Sequence, residues 1–271
     1  INEELASQDI PMVLNSTPGV YATQSGGGDG DARITIRGFN QRNVAVMIDG
    51  IPVNDSFGGT SAVSTLEVES VRDLEIITGT FNAEYGNAMS GVVNAVTKDG
   101  TNQFEYSISS GFSTYLTENK KYGEEVFIGL DPFGMNSNND LRLNFSGPII
   151  KDRLHFFSNY RTQDINGHLN GIRRFEVWNL SDFYDQDSSN WDSEHTGDDS
   201  FVPMATGNYS SFMGKLSLRL RNLKFSYMMN YNQSNSQGYS HIYKYNPDGR
   251  SSQEASTILS MFHFNHFINE K

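Results

Sequence analysis

Beyond Phe104 the chain alternates large apolar residues with small or polar ones at a period of two, the pattern of strands with one dry face and one wet face. Six segments carry it. The first sets Phe104, Tyr106, Ile108 and Phe112 against Ser107, Ser109 and Gly111; the second sets Leu141, Leu143 and Phe145 against Arg142, Asn144 and Ser146. The third places Leu154, Phe156 and Tyr160 on one parity, and the fourth opposes Leu216, Leu218 and Leu220 to Lys215, Ser217, Arg219 and Arg221. The fifth alternates Leu223, Phe225, Tyr227, Met229 and Tyr231, and the sixth, Ile258 to Ile268, alternates least well. The connections run long (117–139), short (147–153), long (164–207), short (221–222) and long (233–254). Short turns at one end and long loops at the other are the habit of outer-membrane barrels. This pattern predicts six consecutive antiparallel neighbours in one sheet, with Leu216, Leu218, Leu220, Phe225, Tyr227 and Met229 facing lipid and Lys215, Ser217, Arg219 and Arg221 facing the lumen or the membrane interface.

Residues 1–103 read differently, as a mixed α/β domain. Ser7 or Asp9 caps a short helix with Pro11 in its first turn, and Pro18-Gly19 stops it. Strands are expected at Arg33 to Arg37, Ala45 to Ile48, Leu74 to Thr78 and Val92 to Thr97, with a helical turn at Val68 to Val71. The Asp49-Gly50 dipeptide signals a tight turn, and Asp49 is read as shaping it rather than binding anything.

Composition sharpens this picture. The chain is 37% hydrophobic and 12% aromatic, with 18 Phe and 13 Tyr, as an alternating outer-membrane strand set requires, although a soluble β-sandwich shares the trait. The longest apolar run, Val44 to Ile48, is far short of the ~20 residues of a spanning helix, so any spanning is done by strands. There is no cysteine, which removes disulfides and thiolate chemistry together. A formal charge of −12 without a basic cluster argues against nucleic acid as a partner. Residue 1 is Ile and no signal-peptide pattern is present, so an export signal is expected outside this chain.

Three blocks carry a family resemblance: Ala32-Arg33-Ile34-Thr35-Ile36-Arg37-Gly38-Phe39, Val46-Met47-Ile48-Asp49-Gly50-Ile51-Pro52-Val53, and Phe81 to Lys98 with its Gly-punctuated turn running into a strand. In this order and spacing they resemble the plug domain of TonB-dependent outer-membrane receptors, over about residues 8 to 104. The turn Ser146 to Phe157 is similar to an early barrel turn of the same receptors. The resemblance implies an α+β plug domain at 1–103, followed at 104–271 by the first antiparallel transmembrane β-strands of a large plugged barrel. Six strands cannot close around such a plug, and barrels of this class use ~22, so the sequence is read as an amino-terminal fragment. A Ton box is not recognisable in residues 1–7.

The implied function is binding of an extracellular nutrient and its import across the cell outer membrane, with energy supplied by the inner-membrane TonB complex. The implied partners are TonB, outer-membrane lipid, an extracellular glycan, peptide or metal complex, and a surface lipoprotein. Two other readings stay open: an outer-membrane docking, secretion or structural component that keeps the receptor fold, and a soluble β-rich adhesin. No Ser-His-Asp order, paired-carboxylate pocket or metalloprotease helix is discernible, so no enzyme, cofactor or metal site is expected. His263 and His266, three apart on a strand, fall on opposite faces and cannot share a metal.

Candidate site residues follow. Arg37 and Glu84, charges flanked by Gly and aromatic residues in the family blocks, are candidates for plug–barrel pairs. The Gly26 to Asp31 run lacks the Lys-Ser/Thr of a phosphate loop; as an apical plug loop it offers Gly28, Asp29 and Asp31 to ligand. The loop 164–207 supplies Trp178, Tyr184 and Trp191 amid nine acidic and two basic residues, a net −7 that suits neutral or cationic ligands over anionic iron chelates. Its aromatics can equally pack the loop's own small core.

Overall fold

The computed structural model describes residues 10, 14–24, 32–38, 44–53, 66–78, 90–115, 120–121, 123–130 and 138–268. Glu84, Gly28, Asp29, Asp31 and the Ser7, Asp9 and Pro11 helix signals lie outside these residues.

In the first domain, β1 (Val20–Gln24) and β2 (Ala32–Ile36) form an antiparallel hairpin. Gly19, at φ +81°, makes the bend that leads into it. β3 (Val44–Ile48), β4 (Ile51–Pro52), β5 (Val71–Ile77) and β6 (Gly91–Thr97) make a mixed sheet in the order β4-β3-β6-β5, with β3 and β6 parallel. β3 is five apolar residues in a row because both of its faces are covered. Val44, Val46 and Ile48 join Val93 and Ala95 in the main core, while Ala45, Met47 and Val92 pack on the other side. Asp49 and Gly50 both have positive φ, 49° and 79°, the two-residue turn that matches strand twist. A single 3₁₀ turn, Val68–Ser70, stands where a helical turn was expected. β1, in which Val20 and Ala22 turn inward and Tyr21 is exposed, was not foreseen.

The second part is one six-stranded antiparallel sheet: β7 (Glu105–Ser113), β8 (Asn138–Ile150), β9 (Leu154–Asn166), β10 (Thr206–Leu220), β11 (Leu223–Gln237) and β12 (Gln253–His266). Each strand pairs with its predecessor, as the alternation predicts. β8–β9 and β10–β11 are joined by turns, while the other connections are long loops. No helix among the described residues is long and apolar enough to cross a membrane.

The two faces of this wall differ. His155, Phe157, Asn159, Arg161, Tyr209, Ser211, Met213, Lys215, Ser217, Met228, Asn230, Asn232 and Met261 are buried, and Phe157, Met213, Met228 and Met261 share one core with the first domain. The opposite parity leaves Tyr160, Phe212, Leu216, Leu220, Tyr227, Phe262 and Phe264 exposed, with Leu218, Phe225 and Met229 half-buried beside them. This is the orientation the Leu/Lys alternation of β10 demands. A β-carbon at Gly147 would collide with the Phe104 ring, which stacks at 6.1 Å on Phe145, so the outer surface needs a glycine there.

Candidate functional site: the plug–wall seam and the outer loops

Two polar clusters join the domains. In the first, the Lys215 ammonium, 5% exposed, reaches Asp49 at 2.9 Å, Asp99 at 3.0 Å and Thr97 Oγ1 at 2.7 Å. The β3–β4 turn aims Asp49, whose other contacts come from the Thr97 N–H (2.8 Å) and hydroxyl (2.7 Å). Asp99, at the exit of β6, also takes Lys224 at 2.9 Å and the Ser217 hydroxyl at 2.7 Å. Burial pushes the Asp99 carboxyl up, but the Lys215 charge and the hydrogen bonds from Lys224, Ser217 and Lys215 outweigh it and hold the group well below the usual range.

The second cluster surrounds the 3₁₀ turn. Arg161 forks onto Asp140 (3.0 and 2.9 Å) and reaches Glu67 at 3.1 Å, with its guanidinium 5.8 Å from the Tyr209 ring. The Tyr209 hydroxyl lies 3.1 Å from Glu67. Arg142 links Asp140 (2.6 Å) to Glu69 (3.6 Å), and Asn144 donates to Glu69 at 2.5 Å. Burial raises the Glu67 carboxyl, only partly offset by the Arg161 charge and the Tyr209 hydroxyl. A third contact clamps the β8–β9 turn: Asn102 Oδ1 accepts from the Asp152 N–H at 2.8 Å and lies 2.7 Å from His155 Nε2.

The expected pair residue Arg37 sits exposed at the end of β2, at φ 52°, and donates to the Thr78 carbonyl at 3.4 Å. Among the described residues the ion pairs across the seam belong instead to Asp49, Glu67, Glu69 and Asp99. The reading of Asp49 as turn-former only is corrected: the same turn that fixes its backbone aims its carboxylate at Lys215. The inward parity of Lys215, Arg142 and Arg161 was the available signal, and it reveals the wall half of each pair alone.

The outer loops pack on one another. Ile172 N–H donates to the Lys244 carbonyl at 2.7 Å, Arg173 bridges Asp198 (3.3 Å) and Asp248 (2.6 Å), and Arg174 pairs with Asp199 over the Tyr245 ring. Buried Arg250 donates to the carbonyls of Met204, Gly238, Pro203 and Pro247. His168 lies edge-on to both Tyr115 and Phe127, which ties in the loop after β7. The candidate aromatics divide. Trp191 serves the loop itself, edge-on to Phe183 at 5.5 Å and donating to the Asp185 carbonyl at 2.8 Å. Trp178, 71% exposed, and Tyr184, 97% exposed, are presented to solvent. Backbone N–H donors, from Asp187 to Asp185 and from Ser189 to Asp187, lower both carboxyls and keep the loop anionic at neutral pH.

A small domain whose described residues are strands and a 3₁₀ turn, pinned to the polar face of a six-stranded antiparallel sheet whose other face is an apolar band and whose loops alternate in length, has the architecture of a plug against the wall of an outer-membrane β-barrel. Comparison with known proteins points the same way: residues 2–92 match the TonB-dependent Receptor Plug Domain. The chain is 33% identical over 129 residues to the TonB-dependent transporter Oar of Myxococcus xanthus, covering 47% of this chain and 12% of that one. It is 36% identical over 96 residues to the vitamin B12 transporter BtuB of Vibrio vulnificus, covering 35% of this chain and 16% of that one. The aligned stretches thus span less than a fifth of these relatives' length. A mutant of the ferric enterobactin receptor PfeA from Pseudomonas aeruginosa superposes with a TM-score of 0.55 at 18% identity, over 94% of this chain and 35% of that one, a likeness of fold.

Proposed function

We propose that the protein is an outer-membrane receptor that captures an extracellular nutrient on its outer loops and imports it when TonB, driven from the inner membrane, displaces the plug. The observation that carries this reading is the seam. The plug is held to the wall by buried ion pairs flanking an apolar contact through Phe157, Met213, Met228 and Met261, and pulling can part the ion pairs at discrete points where water takes over each charge. Relatives named as transporters support the same reading. The acidic, aromatic outer loop favours a neutral or cationic ligand such as a glycan or peptide, with Trp178 and Tyr184 as contact residues and Trp191 as their support. Outer-membrane lipid surrounds the apolar band, and a surface lipoprotein is a further candidate partner above the loops.

The test is binding of the full receptor to panels of neutral glycans, cationic peptides and ferric siderophores, repeated with Trp178→Ala and Tyr184→Ala. Glycan or peptide binding that both changes weaken while the barrel stays heat-modifiable on gels is the expected result. Tight ferric siderophore binding that neither change affects would overturn the ligand assignment, and import independent of TonB would overturn the mechanism.

A further inference from the structure

At the end of the wall where the connections are short, basic side chains crowd into two adjacent turns: Lys151 and Arg153 between β8 and β9, and Arg219, Arg221 and Lys224 around the β10–β11 turn. The Arg219 N–H donates to the Arg153 carbonyl at 2.7 Å, so the turns sit side by side. Their counterions are unevenly shared. Asp152, the one acid within 147–153 and 219–224, is drawn toward the plug, where its carboxylate accepts from the Asn102 amide at 2.5 Å. Lys224 at 2.9 Å and Arg219 at 3.7 Å both lean on Asp99. Lys151, Arg153 and Arg221 are exposed and have no acid within ion-pair reach among the described residues. Apolar side chains border them directly. Ile149 and Ile150 run into Lys151 and Leu220 runs into Arg221, all three exposed, and exposed Phe267 is tied to the same turn by its N–H on the Asn222 carbonyl at 2.8 Å. The surface is therefore half apolar and half cationic, at the rim of the lipid-facing band.

That combination selects its partner. An acidic protein segment would answer the charge and leave the isoleucines wet, and hydrocarbon alone would leave the cations bare. A phospholipid meets both, with acyl chains along the apolar residues and phosphate at the cations. Because three positive charges stand without an acid, the favoured headgroup is one that brings a negative charge and no ammonium of its own. We propose that Lys151, Arg153 and Arg221 form a basic collar that binds the phosphates of anionic phospholipids in the leaflet on the plug side of the membrane. The arginines offer paired N–H donors to phosphate oxygens and Lys151 a point charge. At the other end of the wall the 164–207 loop, at net −7, repels the same headgroups, which confines the preference to one leaflet. The collar rests on the membrane placement of the receptor and not on its ligand or its import step.

The experiment is native mass spectrometry of the full receptor in detergent, titrated with phosphatidylglycerol and separately with phosphatidylethanolamine. Phosphatidylglycerol should bind several-fold more tightly, by a margin that shrinks as ammonium acetate is raised. Lys151→Gln with Arg153→Gln should weaken phosphatidylglycerol by about tenfold or more, at roughly fivefold per charge, and leave phosphatidylethanolamine unchanged. Adding Arg221→Gln should remove the preference. Lys120→Gln with Lys121→Gln takes the same two charges from an outer loop and should leave the preference intact. Equal affinity for the two lipids in the unaltered receptor would overturn the collar without any variant. So would a preference that survives the three turn changes, or one that falls as far with the outer-loop pair. If the turn changes spare lipid binding but cut TonB-dependent uptake, the turns serve an acidic protein and the lipid assignment fails. Heat-modifiability on gels, checked first, reports whether each variant is a folded barrel, so a failure of membrane placement is seen apart from a loss of lipid preference.

Discussion

At the scale of the residue, Lys215 and Asp99 show the two ways in which the seam handles charge. Lys215 sits between two carboxylates, so Lys215→Ala leaves both Asp49 and Asp99 buried without it, and removing one partner of a buried pair costs about 3–5 kcal/mol. The expected outcome is a plug that becomes protease-sensitive at lower denaturant while the barrel still assembles. Asp99 has a depressed carboxyl pKa, so its contribution is complete above the ordinary carboxylate value and is lost as pH falls below it. Protease protection of the plug should therefore weaken progressively below about pH 4, and Asp99→Asn should flatten that profile. Glu67 has the opposite sign: its raised value means that a rise in pH through the range above its ordinary value weakens the folded state. Glu67→Gln should accordingly cost less than Asp99→Asn at neutral pH, a comparison open to the same protease assay. The wall halves of these pairs were legible in the sequence, because Lys215, Arg142 and Arg161 occupy the wet parity of their strands. Their partners were not, because Asp49 and Glu67 stand 166 and 94 positions away in turns that no periodicity describes.

At the scale of the element, the wall strands were the easiest part to read, since one dry and one wet face force an alternation that survives loops of any length. Boundaries were harder: β10 and β11 each run 15 residues, beyond their alternating parts, because register pairing continues where both faces have become polar. The dry face makes a sharp prediction. Leu216→Arg should cost about 2–4 kcal/mol in barrel stability if the site lies near the midplane. Ser217→Arg, one residue on, should instead disturb the contact with Asp99 and spare barrel assembly; unfolding of the two variants from lipid vesicles separates the effects. In the outer loop, Trp191→Ala should loosen the 181–193 hairpin by about 0.5–1.5 kcal/mol through the lost edge-on pair with Phe183, visible as faster amide exchange at Ser193 and Asp182. Trp178→Ala should leave that exchange unchanged. Sequence alone could not divide these two tryptophans, since nothing in the spacing shows which indole turns back on its own loop.

At the scale of the whole molecule, the plug and wall meet through contacts that must part if import requires plug movement. These 271 residues contain no cysteine, so in a receptor freed of any cysteine elsewhere Asp99→Cys with Ser217→Cys provides a pair for a short bifunctional thiol reagent. Cross-linking should abolish uptake and leave ligand binding intact, and reversal with reductant should restore uptake; unimpaired uptake in the linked state would show that this edge of the plug stays in place. The three blocks gave the plug its identity, and the loop rhythm gave the wall its direction, but how the loops lean on one another was written in neither. Arg250 illustrates why. Its guanidinium gathers carbonyls from both ends of its own loop and from Pro203 and Met204 of the loop before, and backbone carbonyls leave no trace in a side-chain pattern. That single side chain makes the receptor's outer surface resistant to piecemeal exchange: transplanting the 238–252 segment from a cousin of different specificity would remove the support of the preceding loop as well. On the proposed reading, new specificities are gained by changing exposed tips such as Trp178 and Tyr184, or by replacing both loops together.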